Sequence, residues 1–81
     1  MRTLDQLAPG QSGVVQTLHG DSMMQQRIQE MGVIQGSEVE VVRLAPLGDP
    51  IEISVCGYFL SLRKSEAALI EIADAPQASA P

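Results

Sequence analysis

Metal ligation is the first chemistry to test in this chain, because His19, Asp21, Cys56 and four methionines could in principle hold a soft or borderline cation. Their spacing argues against it. No Cys-x-x-Cys, His-x-x-His or Glu-x-x-His pair occurs, and Met24 and Met31 belong to the apolar stripe of a helix. His19 then reads as a polar residue at a strand end, and Cys56 as a half-exposed thiol on the outer face of a strand. With one histidine, no nucleophile elbow and no glycine-rich phosphate loop, neither an enzyme nor a bound cofactor is expected.

Bulk composition narrows the partners. Ten acidic residues against five basic ones give a formal charge of −5, a field that repels nucleic acid and anionic lipid. The aromatic side chains are Tyr58 and Phe59, too few to form a base-stacking platform. A single cysteine forms no internal disulfide and no secretory leader is read at the start, so a reducing, cytoplasmic address is expected. No apolar run approaches the ~18 residues a membrane span needs, so any membrane role comes through a partner.

The elements that would position these residues are short. Leu4 and Leu7 form one helical turn stopped by Pro9-Gly10, and Gly13 to Leu18 is a first strand by its β-branched content. From Ser22 the period becomes helical, with Met24, Ile28 and Met31 facing the core, a Ser22/Gln25 capping box, Asp21 at the positive helix end and Gly32 at C′. Met23 lies off that stripe, at the core periphery or in a partner interface. Glu38 to Leu44 is a second strand with Val39 and Val41 inward.

Next comes Ala45-Pro46-Leu47-Gly48-Asp49-Pro50, through which no regular element passes. Ile51, Ile53 and Val55 then alternate with polar residues as a third strand, and Gly57 predicts a bulge or bend before Leu60 and Leu62 resume the pattern. Tyr58 and Phe59 are adjacent and point to opposite faces, so they do not line one groove for a proline-rich peptide. Ser65 caps a helical turn, and Leu69 to Ile72 closes as a fifth strand against the first. The fold expected is mainly β: a small SH3-like barrel of about five antiparallel strands with one short inserted α-helix. The domain covers 1–73, and the alanine- and proline-rich 74–81 is a flexible tail.

Three motifs, Arg27-Ile28-x-x-Met31-Gly32-Val33-x-x-Gly36, Ala45-Pro46-Leu47-Gly48-Asp49-Pro50 and Gly57-Tyr58-x-Leu60-Ser61-Leu62-Arg63-x-x-Glu66-Ala67, together with Leu4-x-x-Leu7-x-x-Gly10, carry a resemblance. The pattern resembles the FeoA family, small cytoplasmic proteins of bacterial ferrous iron transport, over about Leu4 to Ile72. Gln35 stands where the family usually has proline, and Met31 where leucine is usual. The resemblance implies an SH3-like barrel that assists a FeoB-type ferrous iron permease; it does not imply iron binding by this chain.

Under that resemblance the partner-binding residues expected are Pro46, Leu47, Gly48, Asp49 and Pro50 of the loop, with Met23, Arg27 and Glu30 on the outer face of the helix. The loop could equally be a plain strand connection. Two alternatives accompany this reading: a sensor that binds ferrous ion itself through His19 and exposed carboxylates, and an activator that lends Arg27 or Arg63 to the permease G domain. Oligomeric state is left open.

Overall fold

A computed structural model describes residues 2–74. Six strands form one antiparallel sheet: β1 (Arg2–Thr3), β2 (Ser12–Leu18), β3 (Glu38–Leu44), β4 (Ile51–Val55), β5 (Tyr58–Leu62) and β6 (Ile70–Asp74), in the order β1-β6-β2-β3-β4-β5. A 3-10 turn over Leu4–Gln6 follows β1, α1 (Ser22–Glu30) lies between β2 and β3, and α2 (Lys64–Ala67) lies between β5 and β6. The mainly β, SH3-like architecture with its inserted helix is as expected. The two-residue β1, too short to leave a periodic signal, is the strand that the sequence pattern does not show; it pairs Arg2 with Ile72 and Thr3 with Glu71.

Alternation along the strands builds the core. Val15, Val39, Val41, Ile51, Ile53, Val55, Leu62, Ile70 and Ile72 are buried from the sheet, with Leu4, Leu7, Ile28, Val33 and Ala67 packed against them from the turns and helices. Each large aliphatic side chain so buried contributes on the order of 1.5–3 kcal/mol. Helix α1 is only nine residues long, too short to hold alone, and it docks through fully buried Ile28 with half-buried Met24 and Met31 beside it.

Four local readings are corrected. Gly57 does not bend a continuing strand: Cys56 (φ 52°) and Gly57 (φ 83°) are the two central residues of a tight hairpin turn joining β4 to β5, and Val55 pairs with Tyr58. Two positive φ values in a two-residue loop are the mark of a type I′ turn, whose twist matches the flanking strands. Cys56 is therefore an exposed turn residue, not a strand residue. The bends fall instead where an extra residue enters the ladder, at Gln16 of β2 and Val42 of β3. The α1 cap is Asp21, whose Oδ1 accepts from the Met24 N–H at 2.8 Å, so Ser22 is the first helical residue. In α2, Ser65 lies inside the helix; Arg63 is the cap residue, its backbone N–H donating to Glu66 Oε1 at 2.9 Å.

The bulge at Val42 has a charge consequence. It shifts the phase so that Arg43 opposes Glu52, and the guanidinium Nε donates to the Glu52 carboxylate. That hydrogen bond, with the charge of Glu52, raises the Arg43 pKa above its ordinary value. The proposed tail falls, beyond Asp74, outside the described residues.

Candidate partner-binding surface

The loop between β3 and β4 is pinned at three points. The Gly48 N–H donates to the Ala45 carbonyl at 2.7 Å, closing a turn with Gly48 at φ 84°, and the Ala45 N–H donates to the Pro50 carbonyl at 3.0 Å. The third tie crosses the fold: Asp49 Oδ1 accepts from the Lys64 N–H at 2.9 Å, holding the loop to the start of α2. Asp49 thus satisfies a helix-terminal donor that has no partner within the helix. With its base fixed this way, the loop raises Leu47 almost wholly into solvent, at 96% exposure. Burial does not explain a leucine at that position.

On α1, Met23 is 73% exposed and Arg27 and Glu30 are exposed, as expected for the outer face. Glu30 accepts from Gln26 Nε2 at 3.2 Å, one turn back. Arg27 Nη2 lies 4.0 Å from Glu66 Oε2, while the other Glu66 oxygen holds the Arg63 N–H. The Glu66 side chain is mostly buried, whereas that of Arg27 is 62% exposed. At such exposure the pair contributes at most about 1 kcal/mol, so Arg27 keeps most of its capacity for an outside partner.

These contacts relate the two halves of the expected surface. Loop residue Asp49 is bonded to α2, and α2 residue Glu66 faces α1 residue Arg27. The sequence offers Arg63 only as an alternative activating arginine; Lys64 and Glu66 of the intermediary α2 are not among its surface residues. The signal for α2 was the Arg63-x-x-Glu66 spacing, the cap-to-N3 separation of a capping arrangement.

The sequence candidates for metal binding do not converge. His19 Nε2 sits 2.9 Å from Glu71 Oε1 across the β2–β6 pairing, and Asp21 is occupied in capping α1. Among the described residues no group of three His, Cys, Asp or Glu side chains could hold a metal ion. One concavity, of about 360 Å³, is lined by Glu38, Val39, Glu40, Ser54, Cys56 and Gly57 and is open to solvent. No helix among the described residues is long and apolar enough to cross a membrane.

The FeoA domain model matches residues 2–74. The chain belongs to the FeoA family. It is 38% identical over 69 residues to an Fe(2+) transport protein A/Fe(2+) transporter FeoB fusion protein of Porphyromonas gingivalis; the match takes in 85% of this chain but spans only 8% of that relative. Among solved structures, a FeoA-like protein of Clostridium acetobutylicum superposes with a TM-score of 0.83 at 35% identity, covering 89% of this FeoA chain and 84% of that one. A Stenotrophomonas maltophilia FeoA complexed with zinc, described as a prokaryotic SH3 domain protein, superposes with a TM-score of 0.73 at 32% identity, covering 90% and 91%.

Proposed function

We propose that this FeoA chain is a non-enzymatic, cytoplasmic accessory protein of a bacterial ferrous iron uptake system, docking on the cytoplasmic part of a FeoB-type permease and influencing its assembly or nucleotide cycle. The observation that carries the reading is the Porphyromonas gingivalis relative, in which a segment like this chain is joined covalently to FeoB. Fusion holds the two parts at a high effective concentration, as suits domains that meet through a binding surface. The pinned loop Pro46 to Pro50, with Leu47 presented at its tip, and the outer face of α1 with Met23, Arg27 and Glu30 supply that surface. The concavity beside Glu38, Glu40, Ser54 and Cys56 is open to solvent and not an enclosed cleft, which favours a binding role over catalysis.

Affinity capture of the permease from detergent-solubilised membranes, using this chain as bait, tests the proposal. Co-purification of the permease, lost with Leu47→Glu or Arg27→Glu while both variants remain folded, is the expected result. Absence of the permease from the wild-type eluate at low salt overturns it.

A further inference from the structure

Three of the five basic residues of this acidic chain belong to the segments tied together here: Arg27 of α1 faces Glu66 of α2, Arg63 and Lys64 are the cap and first residue of α2, and the Lys64 N–H is held by loop residue Asp49. Among the described residues neither Arg63 nor Lys64 has a side-chain ion pair, and both are exposed. The acidic groups next to them are turned to internal work: Glu66 on the Arg63 N–H and Arg27, Asp49 on the Lys64 N–H. Helix electrostatics do not account for the two cations either. They stand at the cap and first position of α2, the positive end of the helix, where acidic side chains are the favoured ones. Two exposed apolar side chains lie on the same segments, Leu47 on the loop that Asp49 ties to α2 and Met23 one helical turn before Arg27.

We infer that this corner is a binding surface for an acidic, apolar-studded polypeptide segment of the protein partner, whose carboxylates face Arg27, Arg63 and Lys64 while its apolar side chains cover Leu47 and Met23. Charge complementarity fixes the class of occupant. With a net charge of −5 the chain as a whole disfavours an acidic segment, so a basic corner helps select the docking position as well as adding attraction. An arginine and two exposed apolar groups at one place give the surface both a polar handle and an anchor. The inference rests on the docking reading above and adds the chemistry of the segment that would be recognised.

Two probes separate the two ideas: the isolated cytoplasmic portion of the permease, and a short synthetic peptide alternating glutamate with leucine, with a lysine–leucine peptide as control. Binding to the intact chain is followed by titration calorimetry, and its position by amide chemical shifts. Affinity for the permease portion is expected to fall about tenfold between low salt and roughly 0.3 M salt, as screening removes exposed charge pairing. The double variant Arg63→Glu/Lys64→Glu loses binding to both the permease portion and the glutamate peptide, while Leu47→Ala weakens binding and leaves its salt dependence unchanged. The glutamate peptide shifts amides at Met23, Arg27, Leu47, Arg63 and Lys64, and the lysine peptide does not. Permease binding that ignores salt and survives the double charge reversal overturns the inference and leaves docking intact. Binding of the glutamate peptide at this corner without any binding of the permease portion overturns the docking reading instead. Equal binding of the lysine peptide, or no binding of either probe, overturns the inference.

Discussion

The Tyr58 hydroxyl donates to the Met31 carbonyl oxygen at 2.6 Å, tying the start of β5 to the last turn of α1 across Gly32. Gly32 sits at φ 100°, and a Cβ built there would overlap the tyrosine hydroxyl. One small residue therefore ends the helix and admits the tyrosine. Gly32→Ala is expected to destabilise the fold by about 2–4 kcal/mol, combining left-handed strain with a displaced Tyr58. Tyr58→Phe alone costs about 0.5–1.5 kcal/mol, and adding it to Gly32→Ala recovers part of the loss by removing the clashing oxygen. Urea unfolding of the two single variants and the double variant checks this; strict additivity would contradict it.

Asp21, not Ser22, satisfies the first turn of α1. Asp21→Ala should cost about 0.5–2 kcal/mol and Asp21→Asn much less, whereas Ser22→Ala should change stability by under about 0.5 kcal/mol. Thermal unfolding of the three variants ranks them, and the reverse ranking of the two alanine variants would contradict the cap assignment.

The link from Asp49 to Lys64 predicts a stability effect from a loop residue. Asp49→Ala leaves an α2 donor without its partner and should cost about 0.5–1.5 kcal/mol, while Leu47→Glu on the same loop should cost almost nothing, because Leu47 buries no surface. Loss of permease capture by Leu47→Glu at unchanged unfolding midpoint would separate binding from folding.

Cys56 holds φ 52°, a conformation that costs most side chains about 1–2 kcal/mol and that asparagine tolerates far better. Cys56→Asn is expected to stabilise the β4–β5 hairpin by about 0.5–1 kcal/mol, measured by the denaturation midpoint, and to leave permease capture unchanged.

Residue order alone determined the strands from Glu38 to Leu44 and Ile51 to Val55, the helix from Ser22 and the closing strand, because burial on one face imprints a period of two or of about 3.6 on apolar positions. It also carried the family, through motifs whose spacing spans most of the chain, and placed Leu47, Met23 and Arg27 on the outside. Contacts between distant residues were not legible in it. Whether Gly57 bends a strand or closes a hairpin depends on which residues pair, and β1 exists only because Ile72 and Glu71 are there to receive it. The role of Asp49 as a tie to Lys64, and the meeting of Arg27 with the Arg63 backbone at Glu66, arise from residues brought together by folding. Periodicity reports which way a side chain faces relative to its own element; only the tertiary structure decides what it faces.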